Sequence, residues 1–233
     1  MSLYVAAPLK LGHVVPQLHL SRQPTLFDQA VAVDATFDSV DRIDLGEGCW
    51  LDVGRGWLGG DGDLFDELVD SVGRGQRTRW MYTREVIEPR LTARLNVEAG
   101  RPLVPAPLEE IRLALNSRYG RCFDSVGMNL YRDGDDSVAW HRDKIPNTIP
   151  EPVVALVSLG ARRVFALRPL TPPRQARTLR FDLGAGDLLV TGGRTQRLWE
   201  HSVPKVRSAG PRISLAFRHS EEPTWATEDE RPA

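Results

Sequence analysis

From Asp124 onward the chain is a series of short apolar segments separated by turn residues. This pattern restricts the fold more than any other feature. The segments are Val126–Arg132, Val153–Leu159, Val164–Leu167, Thr178–Asp182, Asp187–Val190 and Arg212–Arg218. Between them stand Asp133-Gly134-Asp135, Gly160, Gly184–Gly186 and Gly192-Gly193, residue types that favour tight turns. Short strands at close spacing build a sandwich or barrel. Upstream the pattern differs. Leu64, Phe65, Leu68 and Val69 share one stripe within Asp63–Asp70, the signature of a helix after the Gly59–Gly62 turn. Pro107–Asn116 predicts a second helix, with a proline near its start and acids in its first turn. The expected architecture is α+β and mainly β: a double-stranded β-helix (jelly roll) core with N-terminal helices flanking it.

A chain of 233 residues suits one sizeable domain. Residues 1–25 carry Pro8, Pro16 and Pro24 with little periodicity, which predicts an extended arm. Residues 26–220 form the domain, with helices and loops in 26–123 and the jelly roll in 124–220; residues 221–233 are an acidic tail. No apolar run reaches the about 20 residues needed to span a bilayer, which excludes a membrane partner through such a helix. The opening MSLYVAAPLKLGHVVPQ lacks the combined marks of a secretory leader. Two cysteines, Cys49 and Cys122, are too few for a disulfide framework. A soluble, cytoplasmic monomer is expected. The net charge is −1, yet Ala161–Arg218 holds twelve Lys/Arg against three acids, a local excess of +9. Such a segment can hold phosphates or can be a solvated face.

His141-Arg142-Asp143 sets an imidazole and a carboxylate two residues apart, on one side of an extended chain. His201 follows sixty residues later. Two histidines and one carboxylate on one face of a metal leave its other positions open, the ligand set of non-haem Fe(II) oxygenases. The chain has only five histidines, so the pairing is economical. Alone, His-x-Asp is weak, because a histidine bonded to a neighbouring acid satisfies it equally.

The last strand adds context. Ile213, Leu215 and Phe217 alternate with Arg212, Ser214, Ala216 and Arg218. If the apolar set faces the core, the arginines point into the barrel. A buried arginine needs a partner, and a dicarboxylate would supply one through bidentate contacts. A half-exposed strand with solvated arginines is the competing reading. Asn129 and Tyr131 likewise share a face and offer hydrogen-bond donors.

Six segments occur in order: Asn129-Leu130-Tyr131, Ala139–Asp143, Val157–Gly160, Gly186–Val190, Trp199–Lys205 and Pro211–Arg218. Together they resemble the AlkB family of Fe(II)- and 2-oxoglutarate-dependent dioxygenases, over about Val126 to Arg218. The resemblance implies Fe(II) on His141, Asp143 and His201. It implies 2-oxoglutarate with its distal carboxylate on Arg212, helped by Asn129 and Tyr131, with Arg218 and Ser214 beside it. It implies oxidation of an N-methyl group on a DNA base, a repair reaction releasing formaldehyde, succinate and CO2. RNA demethylation and an idle nucleic-acid-binding module are the alternatives.

The resemblance also implies a substrate lid in the N-terminal half. Arg74–Arg94 is the candidate, with Trp80, Tyr82 and Arg84 as substrate contacts. Aromatic rings among arginines can stack a base and hold phosphates; a core tryptophan beside a basic loop fits the same residues. Trp140, next to His141, is counted with the substrate contacts, with core support as its competing role. One departure is visible. Repair members of the family carry acids soon after the Asp of His-x-Asp, where this chain has Lys144-Ile145-Pro146-Asn147.

Overall fold

The structure, a computed structural model, describes residues 30–72, 76–81, 84–171 and 178–220; the side chains of residues 70–87 lie outside this description. The expected N-terminal arm and acidic tail also lie outside it.

Among the described residues there are fourteen strands and three helices. In chain order they are β1 (Ala32–Val33), β2 (Val40–Gly46), β3 (Cys49–Gly54), β4 (Leu58–Gly59), α1 (Asp61–Val72), β5 (Gln76–Met81) and β6 (Arg84–Asn96). Then come α2 (Ala106–Tyr119), β7 (Ser125–Tyr131), β8 (Val138–His141), β9 (Val154–Gly160), β10 (Arg163–Pro169) and β11 (Leu179–Leu183). The last four are β12 (Leu188–Gly193), α3 (Thr195–Leu198), β13 (Trp199–Val203) and β14 (Arg212–Arg218). An eight-stranded sheet runs in the order β2-β3-β12-β9-β14-β7-β6-β5, and a four-stranded sheet runs β11-β10-β13-β8. Every pairing is antiparallel. The mainly β jelly-roll expectation holds.

The N-terminal half corrects the helix-and-loop expectation for residues 26–123. It supplies four strands of the large sheet, β2, β3, β5 and β6. Their sequences, such as Val40–Gly46 and Arg84–Asn96, are rich in charge, so their alternation is faint. Their ladder bonds come from pairing at the two edges of the C-terminal sheet, which hydropathy does not record.

Two cores explain the layers. The first lies between the large sheet and the helices. Leu64, Phe65 and Leu68 of α1, and Leu108, Ile111 and Leu115 of α2, meet Ile213, Leu215 and Phe217 of β14. Each of these side chains is at most 1% exposed, and burying one such group contributes about 1.5–3 kcal/mol. Helix α2 keeps this face because Leu108, Ile111 and Leu115 recur at helical spacing. It stops at Gly120, whose φ of 56° lies in the left-handed region. The second core lies between the sheets and includes Leu51, Leu156, Phe165, Leu189, Trp199 and Val203. The large sheet is therefore buried on both faces, and the site sits on its inner face.

Candidate metal and cosubstrate site

Strands β8 and β13 were not visible in the sequence, yet they carry both histidines. They pair so that His141 stands directly across from His201. The ring centroids are 4.3 Å apart. Asp143 follows two residues after His141, just past the end of β8. The ligand atoms of His141, Asp143 and His201 all lie within 4.8 Å of one another. Among the described residues this is the one such cluster of metal-ligating groups.

Each ligand is held in the form a metal needs. His141 Nδ1 lies 2.9 Å from the Ala139 carbonyl, which assigns the proton to Nδ1 and leaves Nε2 free. His201 is buried beside Phe165, with ring centroids 5.2 Å apart. Burial pushes its pKa down to about 4, against the opposing pull of Asp143, so the ring is neutral at physiological pH. Burial alone would raise Asp143; the Arg218 guanidinium and the two imidazoles outweigh it and hold the carboxyl below its usual range. Arg218 makes this contact through Nε at 3.2 Å and Nη2 at 2.9 Å. Its path crosses Gly127 of β7, where a Cβ would stand 2.8 Å from Arg218 Nη1.

A cavity of about 310 Å³ opens on this cluster. Asn129, Tyr131, Arg212, Ser214 and Arg218 all line it, as do the three candidate ligands. Arg212 is 1% exposed. The Ser158 hydroxyl accepts from its Nε at 3.1 Å and its Nη2 at 2.6 Å. Its carbon Cζ lies 5.3 Å from the Tyr131 ring centroid. Nη1 is buried with no hydrogen-bond partner. Burial lowers the Arg212 pKa and raises that of Tyr131. The strand alternation expected for β14 is therefore present, with Arg212, Ser214 and Arg218 on the inner face.

The residues fit the groups. Two imidazoles and one carboxylate on one side are the donor set for Fe(II) with open positions. An orphaned guanidinium donor on the cavity wall suits the carboxylate of a dicarboxylic acid.

Three supports escaped the sequence reading. Gln196 Oε1 accepts from the Asp143 backbone N–H at 3.4 Å, and its amide donates to Thr191 Oγ1 at 2.8 Å. Arg197 donates to the carbonyls of Ile145, Pro146 and Ile149 and to Asn147 Oδ1, at 2.6–3.3 Å. Helix α3 thus fixes the segment after Asp143 while running directly into the strand of His201. Arg90 donates to Asn129 Oδ1 at 2.9 Å and stands 3.3 Å from Glu88. Neighbours distant in sequence create these contacts, and no local pattern announces them.

Two expectations change. Trp140 does not line the cavity; one position before His141 on a strand, it faces the other way. There it lies 3.9 Å from the Arg168 guanidinium, which pairs with Glu200 at 2.7 Å. The +9 segment is not one free phosphate surface. Arg163 is buried on the carbonyls of Asp133, Asp136 and Pro204. Arg168, Arg197, Arg212 and Arg218 are engaged as described. Of the lid, Tyr82 and the side chains of Trp80 and Arg84 lie outside the described residues.

Residues 87–218 match the family model of the 2OG-Fe(II) oxygenase superfamily. The chain belongs to that superfamily. Within it, this oxygenase is similar to the AlkB homologues. It is 33% identical over 172 residues to human alpha-ketoglutarate-dependent dioxygenase alkB homolog 3, covering 66% of this chain and 60% of that protein. It is 35% identical over 124 residues to human DNA oxidative demethylase ALKBH2, covering 51% and 47%. The chain thus spans about 60% of the length of the first of these relatives. The solved structure of OsALKBH1 shares the fold, with a TM-score of 0.51 at 19% identity over 76% of this chain and all of that one.

Proposed function

We propose that this protein is a dioxygenase that uses Fe(II) and 2-oxoglutarate to demethylate N-alkylated bases in DNA. The observation that carries the reading is the pairing of two features on one cavity. His141, Asp143 and His201 converge at one place, and the buried Arg212 Nη1 has no partner. The names of the relatives, a dioxygenase dependent on alpha-ketoglutarate and a DNA oxidative demethylase, point the same way.

When bound, iron would activate O2 with 2-oxoglutarate as the co-reductant: one oxygen atom would go into succinate as CO2 is lost, the other into the N-methyl carbon, and the resulting hydroxymethyl group would leave the base as formaldehyde. The chain's own residues do the rest. His201 presents a neutral imidazole nitrogen, His141 presents Nε2, its Nδ1 being turned to the Ala139 carbonyl, and Asp143 presents an ionised oxygen. Arg218 orients Asp143 and keeps it deprotonated. Arg212 takes the distal carboxylate of 2-oxoglutarate, with Ser158 holding the guanidinium in plane and Asn129 and Tyr131 completing the wall. Phe165, Leu156 and Val203 make the sides apolar and exclude water. A base must leave its stack to reach such a site.

The test is formaldehyde release from single-stranded DNA oligonucleotides, each carrying one ring-N-methylated base, with Fe(II), ascorbate and 2-oxoglutarate. Wild type should release formaldehyde and His141→Ala should not. Equal release by both would remove the metal assignment. Succinate without formaldehyde from any oligonucleotide would keep the oxygenase and discard the substrate.

A further inference from the structure

Tyr131 is met from two directions by guanidinium groups. Arg212 stands directly across from it in the large sheet, in the β14–β7 pairing, with Cζ 5.3 Å from the ring centroid. Arg163 comes from β10 in the small sheet, with Cζ 5.5 Å from the same centroid. It shares a face of its strand with Phe165, which lines the cavity. Arg163 itself does not line the cavity and is 2% exposed, so it stands behind Tyr131.

The hydrogen bonds of Arg163 go to backbone carbonyls. Nη1 donates to Asp133, and Nη2 donates to Asp136 and Pro204, each at 2.8 Å. Its Nε is buried with no partner, as is Nη1 of Arg212. Carbonyls hold a guanidinium in place without cancelling its charge. Among the described residues neither Arg163 nor Arg212 pairs with a carboxylate. The two acids whose carbonyls Arg163 bonds are otherwise committed. Arg132 takes the Asp136 carboxylate through Nε and Nη2, both at 2.8 Å, and Asp133 Oδ1 accepts the backbone N–H groups of Asp135 and Asp136. Burial lowers the pKa of Arg212, and the charge of Arg163 lowers it further. Two buried like charges thus lie against one ring, and an anion at Arg212 is drawn by both.

We propose that Arg163 is a positioning residue for 2-oxoglutarate: acting through Tyr131 from behind the cavity wall, its charge adds to that of Arg212 in drawing the distal carboxylate. The inference rests on Arg212 as the site of that carboxylate and gives the site a second cation. A unit charge about 8–10 Å from a carboxylate, in surroundings between protein and water, changes its affinity by about five- to twentyfold. The effect is smaller than that of Arg212 itself. It is confined to the cosubstrate, because none of the contacts of Arg163 is with His141, Asp143 or His201.

The experiment is calorimetric titration of 2-oxoglutarate into the full chain loaded with Mn(II), without oxygen. The variants are Arg163→Lys, which keeps the charge, and Arg163→Gln, which keeps an amide donor for the carbonyls and loses the charge. Titration of Mn(II) alone is the control. Arg163→Gln should bind 2-oxoglutarate about five- to twentyfold more weakly than wild type, and Arg163→Lys should stay within about threefold. Both should bind Mn(II) within about threefold of wild type. Both lose part of the carbonyl network and should melt lower together, so lost stability does not explain a difference between them. Equal 2-oxoglutarate affinity in the two variants overturns the proposal. So does a loss of Mn(II) affinity in Arg163→Gln that matches its loss of 2-oxoglutarate. Arg163→Met is a second neutral variant, and failure of both neutral variants to fold assigns the charge to the fold and overturns the proposal too. Wild type that binds Mn(II) but no 2-oxoglutarate removes the cosubstrate reading of Arg212 and this inference with it.

Discussion

Arg212→Met separates a residue kept for a ligand from one kept for stability. The guanidinium is 1% exposed, donates to the Ser158 hydroxyl through Nε and Nη2, lies against Tyr131, and leaves Nη1 without a partner. Replacing a buried charge by an apolar side chain of similar volume is commonly neutral, or stabilising by about 1–4 kcal/mol. Against this, the Ser158 hydroxyl loses its partner, which costs about 1–3 kcal/mol. The two nearly cancel, so the unfolding midpoint of ligand-free protein should stay within about 5 °C of wild type. Binding should respond very differently. Removing one side of a buried, hydrogen-bonded charge pair costs about 2–5 kcal/mol, which is about 30- to 4,000-fold in affinity. Calorimetric titration of 2-oxoglutarate into protein loaded with a redox-inert divalent metal measures this directly. A variant that binds 2-oxoglutarate normally while melting ten degrees lower would show that Arg212 serves the fold.

Three other perturbations have defined outcomes. Arg197→Ala removes four hydrogen bonds from the segment after Asp143 and should cost about 1–3 kcal/mol, with faster amide exchange over Ile145–Ile149; an unchanged melting curve and exchange pattern would refute the anchor. Gly127→Val should push Arg218 off Asp143 and weaken divalent-metal binding, as read by metal titration; metal affinity equal to wild type would show that the crossing does not matter. The pH dependence has a worked sign. The folded pKa of His201, about 4, lies below its ordinary 6.5, so between these values the unfolded chain binds more protons. Metal-free protein should therefore lose stability as pH falls from 6.5 towards 4, in chemical denaturation, and His201→Gln should flatten that slope; an identical slope in the variant would assign it to other groups.

Legibility in the sequence followed the range of the interactions. Strand β14 was readable because its two faces differ in kind: Ile213, Leu215 and Phe217 meet helices, while Arg212, Ser214 and Arg218 meet the cavity. Helices α1 and α2 were readable because one stripe of each is apolar. Strands β8 and β13 were not. Val138–His141 and Trp199–Val203 are short, and polar side chains face the cavity where alternation would need apolar ones. The chemistry of His141, Asp143 and His201 was visible from residue types, whereas their convergence depends on the β8–β13 register. The arginine-rich segment left two readings open for the same reason. Composition counts charges, but Arg163 and Arg197 are engaged by carbonyls, acceptors that every sequence has and no sequence displays.

The central claim is that oxidation of 2-oxoglutarate and removal of a base methyl group are one reaction at one site. The direct measurement is the ratio of succinate formed to unmethylated base formed, on a methylated single strand in excess over enzyme. The account predicts a ratio near one for wild type, with neither product from Asp143→Ala. Methyl loss without 2-oxoglutarate, or steady succinate formation beside an untouched base, would contradict it.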